Sequence, residues 1–208
     1  MGVSVLYNAI PPSSTLYARL QSEKVLSILV VSLFPHGCGI FRFFEIDPEE
    51  IDEILEYFIE THQEIFGSEL EANRVIAELR SELRLTRQAY LGIEDRTASL
   101  EKSSVEIKER LSQELSRRKF ANAHKIVEKL MFGDQTFAPT LLSAEESLGL
   151  ISRELVSEGA SILRQIDPET LFARDEDQEG WYLDHFKQWR DLYLSADENN
   201  EEILVGVA

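Results

Sequence analysis

The sequence holds a single cysteine, Cys38, so no disulfide can close within the chain, which is compatible with a reducing compartment. Six prolines and ten glycines in 208 residues are too few for a disordered or collagen-like polymer. The longest apolar run, VLSILVVSLF at 25–34, is about half of the ~20 residues that a membrane-spanning helix needs, so no membrane partner is expected. The opening MGVSVLYNAIPP has no basic stretch leading into a long apolar run, and Leu6 stands where a myristoylation signal needs Ser or Thr. A secretory leader is therefore not expected, and a cytoplasmic location is. Nucleophile elbows (G-x-S-x-G), Walker loops, G-x-G-x-x-G and H-E-x-x-H are absent, and no 20–50-residue period repeats. No cofactor and no metal is expected.

What is present is charge and bulk. The net charge is −17, unevenly placed. Residues 42–69 hold ten acids and one base, and residues 167–202 hold twelve acids and three bases. Residues 74–129 reverse the balance, with thirteen bases and nine acids. A strongly anionic chain repels nucleic acid, so no nucleic-acid partner is expected. The basic middle either meets the chain's own acids and solvent, or serves an anion or an acidic protein. With 43% hydrophobic residues and eleven phenylalanines, the chain can bury one core.

The patterns suggest strands at 3–7, 25–34 and 201–208, with 40–46 as a further strand or an extended link. A turn at PPSS and a short helix from Ser14 follow the first strand. The clearest helix is 47–67, with Asp47 as cap, Pro48 in the first turn and Glu50 completing a capping box. Its stripe is Ile51, Ile54, Leu55, Phe58 and Ile59. A second helix spans 68–91 with Leu70, Ile76, Leu79, Leu83 and Tyr90 on one side. After a linker at 93–99, a third helix is expected at about 101–116 on Leu100, Ile107, Leu111 and Leu115. RKFANAHKIVEKLMFG (118–133) reads as a fourth, packed through Phe120, Ala123, Ile126, Val127, Leu130 and Met131. GDQTFAPT (133–140) reads as irregular. A helix is expected over 143–156 from a Ser143/Glu146 capping box, a short one at 167–175, and an aromatic one at 181–196. The fold class is thus mixed α/β, with several helices packed on a mixed β-sheet and strands near both termini. We expect a single domain over 1–208, with 68–116 as a candidate helical insertion.

Four histidines offer chemistry. His36 and Cys38 form H-x-C in a glycine loop, a start for a metal site or a thiol with its base, without an obvious third ligand. His62 lies late in its helix, where a helix terminus suits an imidazole. His124 and Glu128 stand four apart on one helix face, the spacing of a base and its orienting carboxylate, or of a surface pair at the edge of a packed stripe. His185 lies among aromatic residues, where Trp181 and Trp189, eight apart, suit a core face better than a recognition platform. ARDEDQEG (173–180) lacks the glycine and the final glutamate of a calcium loop.

Several segments resemble the YfbM-like family. Its members open with Met-Gly, as here, and carry a central helix of the form Lys-Ala-Trp-x-x-x-His-x-Leu-Leu-Thr-Gly. NAHKIVEKLMFG (122–133) falls on that pattern through Ala123 and Gly133, with Asn122, His124 and Glu128 at the Lys, Trp and His positions. LLSAEESL (141–148), WYLDHFKQW, LYLSA (192–196) and EEILVGVA resemble the family's later segments. The resemblance covers 120–208 best. It implies a mixed α/β domain with several helices and brings no established activity or catalytic set.

Two functions are consistent with these residues. The first is an acidic intracellular protein-binding or regulatory domain without catalytic activity, with a protein partner or self-association. The second is a small hydrolase or small-ligand-binding enzyme whose pocket is assembled from dispersed residues near His124 and Glu128.

Overall fold

The computed structural model describes residues 5–15, 18–19, 53, 60, 68–90, 96–137, 147–173 and 180–207. The chain divides into two units, residues 1–12 with 93–208, and residues 13–92. The segment expected as an insertion, 68–116, is shared between them.

The first unit is built on five strands: β1 (Val5–Ile10), β2 (Thr97–Ser99), β3 (Gln135–Phe137), β4 (Ser147–Ile151) and β5 (Glu202–Val207). Their order in the sheet is β2-β1-β5-β4-β3. The fold is mixed α/β with strands near both chain ends, as the order of strand and helix patterns along the sequence suggests. Every pairing among the described strands is antiparallel, narrower than the mixed sheet expected. The C-terminal strand is central, held between β1 and β4.

Register fixes the faces. Tyr7 sits opposite Val205, and Val205 opposite Gly149, so these three share one side of the sheet. Val5, Ala9 and Ile203 lie on the same side, all fully buried. Ile10, Leu148, Leu150 and Leu204 on the other side are equally buried, so these strands hide both faces.

Helices α2 (Ser104–Arg117), α3 (Ala123–Phe132), α4 (Arg153–Leu163), α5 (Pro168–Leu171) and α6 (Trp181–Glu198) complete this unit. A 3-10 turn at Glu101–Ser103 leads into α2, whose Ile107, Leu111 and Leu115 recur every fourth residue and are fully buried. α3 buries Ala123, Val127, Leu130 and Met131, while Ile126 and Phe120 are only half-buried. α6 buries Phe186, Trp189, Leu192 and Tyr193 as its pattern predicts; Trp181 stays half-exposed. The Trp189 ring lies 6.0 Å from that of Tyr7, 6.0 Å from Phe186 and 5.2 Å from Tyr193, which makes it the centre of the core.

Three segments depart from expectation. The linker 93–99 contains β2 and places Arg96 in the interior, where Arg96 Nη1 meets Glu201 Oε2 at 2.7 Å and Ser195 Oγ at 2.9 Å. The irregular stretch 133–140 contains β3, because Gln135–Phe137 completes the edge of β4. The helix expected over 143–156 starts only at Arg153. Its cap is Ser152, whose Oγ accepts from Leu155 N at 3.4 Å. SLGLI (147–151) is β4 instead, since Leu148 and Leu150 alternate into the sheet. The residues 143–146 lie outside the described ones.

Close approach of α3 to β4 explains two glycines. A Cβ on Gly149 would stand 2.0 Å from the Phe132 carbonyl oxygen. One on Gly133 would stand 2.5 Å from the Leu150 carbonyl oxygen, at a backbone φ of +89° that also favours glycine.

In the second unit, α1 (Glu69–Tyr90) is the described helix of length. Ala72, Val75 and Ile76 are buried, but Leu70, expected inward, is 82% exposed one residue into the helix. Ser68 Oγ accepts from Glu71 N, an N-terminal cap. Arg74 bridges Glu71 and Glu78 along the surface, and Arg19 reaches Glu78 at 2.5 Å. Glu53 and Glu60, seven apart, are helical and exposed. The stripe itself, His62 and the segments 25–34 and 40–46 lie outside the described residues.

Candidate functional site

α2 and α3 form an antiparallel helical hairpin, and the exposed side of this hairpin carries the chain's concentrated positive charge. The turn between them is compact. Arg118 N bonds Glu114 O, Lys119 N bonds Ser116 O and Phe120 N bonds Leu115 O, which closes the end of α2. Lys119 (φ 66°) and Asn122 (φ 57°) then take left-handed backbone and reverse the chain. Lys108 on α2 faces Glu128 on α3 at 3.5 Å across the hairpin. α3 begins without a side-chain cap hydrogen bond and without an acid in its first turn, so no side chain offsets the positive end of its dipole there.

Residues 114–129 hold five bases and two acids in a chain of net charge −17. Arg117 and Arg118 share Glu114, at 2.7 and 2.6 Å. Lys119, Lys125 and Lys129 are exposed and form no ion pair among the described residues. Lys125 and Lys129 are one helical turn apart and align on the outer side of α3.

The other flank of α2 lines a groove of about 660 Å³ with α5. Glu106, Glu109, Arg110, Gln113, Glu114 and Arg117 contribute from α2, and Thr170 and Leu171 from α5. Ion pairs lock most of these charges. Arg110 Nε meets Glu106 Oε1 at 2.5 Å, and its guanidinium lies 5.2 Å from the Phe172 ring centre and 6.0 Å from that of Tyr182. The hydrogen bond from Arg117, reinforced by Arg118, holds the Glu114 carboxyl down at about 2. A carboxylate so held stays ionised near neutrality and is a poor proton acceptor.

His124 and Glu128 are both exposed on the outer side of α3, and neither lines this groove. Glu128 pairs with Lys108. His36 and Cys38 lie outside the described residues. The Trp181 and His185 rings meet edge-on at the start of α6, centroids 4.8 Å apart, a half-buried aromatic contact. Among the described residues, no group of three His, Cys, Asp or Glu is placed to hold a metal ion, and no helix is long and apolar enough to cross a membrane. Sequence reasoning located the basic cluster but missed the groove. Its signal was present as the Glu106, Arg110, Glu114 and Arg117 series, acid and base alternating at helical spacing. No family model, curated protein or solved structure matches the chain.

Proposed function

We propose that the chain is a protein-binding or regulatory domain without catalytic activity, acting in the cytoplasm and docking through the exposed side of the α2–α3 hairpin. The observation that carries this reading is the trio Lys119, Lys125 and Lys129, which stays outside ion pairs among the described residues in a chain with a large surplus of acids. The nearby acids Glu106, Glu114 and Glu128 are held in ion pairs by Arg110, by Arg117 with Arg118, and by Lys108. The exposure of His124 and Glu128 supports a non-catalytic role, because general acid–base work needs a group shielded and aimed at a bound substrate. Membership of the YfbM-like family belongs to the same proposal and adds no activity to it.

The test is affinity capture from native cells with wild-type chain and with a Lys119→Glu/Lys125→Glu/Lys129→Glu variant. A stoichiometric partner should be retained at about 0.05 M salt, released by about 0.5 M, where the screening length falls well below 8 Å, and not retained by the variant. A substrate turned over by the wild-type chain and spared by His124→Ala and Glu128→Ala alike would still sink the non-catalytic reading.

A further inference from the structure

We infer that the occupant of the α2–α3 hairpin is a short acidic segment of another protein, bound in extended form with successive carboxylates on Lys129, Lys125 and Lys119. The inference rests on the docking reading above and narrows it to one chemistry.

Spacing is the first argument. Lys125 and Lys129 lie one helical turn apart on an exposed side, with Cβ atoms about 5–6 Å from each other. In an extended peptide, side chains on one side recur every second residue, about 6.5–7 Å apart. Flexible lysine stems absorb the difference, so carboxylates at alternate peptide positions can each meet an ammonium group. Lys119 adds an exposed ammonium group on the interhelical turn, next in sequence to Arg117 and Arg118, which share Glu114.

Charge balance is the second argument, and it selects among anions. A duplex or a lipid surface presents far more negative charge than one short basic stretch can match, and a chain of net charge −17 repels it as a whole. A peptide of a few residues stays within the basic field, which reaches only about 8 Å at physiological salt. Lysine also favours this occupant: ammonium groups act as point charges for separate carboxylates, whereas bidentate phosphate recognition calls for arginine, and the hairpin's arginines are already engaged, Arg110 by Glu106 and Arg117 and Arg118 by Glu114.

The experiment is fluorescence anisotropy of a labelled ten-residue Glu/Asp peptide titrated with the full chain. Micromolar binding at low salt is expected, weakened at least about tenfold by Lys119→Glu/Lys125→Glu/Lys129→Glu, in keeping with the loss of several rim charges. A Lys102→Glu/Lys187→Glu variant, whose lysines are on other elements, should bind within about twofold of wild type, since distant charges are screened. A circular-dichroism melt of each variant separates lost binding from lost fold. Absence of peptide binding, or equal binding by the triple variant, overturns the inference. So does tighter binding to phosphatidylserine vesicles, duplex DNA or inorganic phosphate than to the peptide. A concentration-dependent dimer that the triple variant abolishes would assign the hairpin to a second copy instead. Should the peptide fail while the triple variant still loses a captured cellular partner, only this inference falls; should capture fail as well, the docking reading falls with it.

Discussion

Tyr7 and Tyr193 close the C-terminal end of α3 together. From β1, the Tyr7 hydroxyl donates to the Met131 carbonyl at 2.9 Å; from α6, the Tyr193 hydroxyl donates to the neighbouring Leu130 carbonyl at 2.5 Å. The last carbonyls of a helix have no partner within it. Here Gly133 N takes the Lys129 carbonyl, and the two phenols take the next two. The hairpin that carries the basic ridge is therefore anchored through its second helix to the centre of the core.

Replacing either tyrosine by phenylalanine keeps the ring and leaves a buried carbonyl unsatisfied. Tyr193→Phe and Tyr7→Phe should each cost about 1–3 kcal/mol in denaturant unfolding. Burial also pushes both phenols well above the ordinary tyrosine value of 10.0. The native state keeps the proton that the unfolded chain gives up, so this stability is complete below pH 10.0 and declines as the pH rises beyond it. Tyrosinate absorbance should appear together with loss of the near-ultraviolet dichroism of Trp189. Ionisation of all six tyrosines before any unfolding would contradict the two hydrogen bonds.

Gly149→Ala should be among the most damaging small substitutions in the chain. Its methyl group would collide with the Phe132 backbone, which cannot swing aside as a side-chain tip can. A loss of about 3 kcal/mol or more is expected from overpacking at a backbone contact. A melting temperature within a degree of wild type would mean that α3 does not press on β4 at this point.

Arg96 and Glu201 form a buried pair, 8% and 3% exposed, that ties the start of β2 to the entry of β5. Glu201→Ala removes the carboxylate paired with a buried guanidinium and should cost about 3–5 kcal/mol. Replacing both residues by apolar ones of similar size should cost much less, because the buried charges are then removed together. A double variant as unstable as the single one would show that Arg96 has a further indispensable role.

On the hairpin, Leu130→Ala and His124→Ala should separate cleanly. Leu130 is fully buried and its removal should cost about 2–5 kcal/mol. His124 is exposed, and its removal should stay within about 0.5 kcal/mol. Chemical denaturation of both variants reads the difference directly.

The pairing of Glu114 predicts a small acid-side effect. Its folded value of about 2 lies below the ordinary 4.5, so the contribution is present above pH 4.5 and is lost as the pH falls toward 2. Arg117 is 69% exposed, so solvent screening limits the effect to roughly 1 kcal/mol. Glu114→Gln should flatten the acid limb of the stability curve between those values.

Much of this architecture was legible before any coordinates. α2 and α6 follow from apolar residues at helical spacing, and β5 from ILV near the end of the chain. Asp167–Pro168 marks the start of α5, as an N-cap followed by proline should. These signals are local, written in residues within a turn or two of each other. The edge strand β2 is three residues long with one apolar side chain, too short for any periodicity. β4 was hidden by the Ser143/Glu146 capping signal just before it, although Leu148 and Leu150 already alternated. His124 and Glu128 are both exposed, and Glu128 pairs with Lys108 of α2.

By itself, then, the sequence determined the helices with strong periodicity, the mixed α/β class and the location of the basic cluster, because propensity and patterning act over a few residues. Tertiary structure alone decided which strands pair, that two distant tyrosines finish α3, that Arg96 and Glu201 meet 105 residues apart, and that three lysines face outward without an ion pair among the described residues. Those outcomes depend on contacts between segments far apart in the chain, whose energies no local window contains.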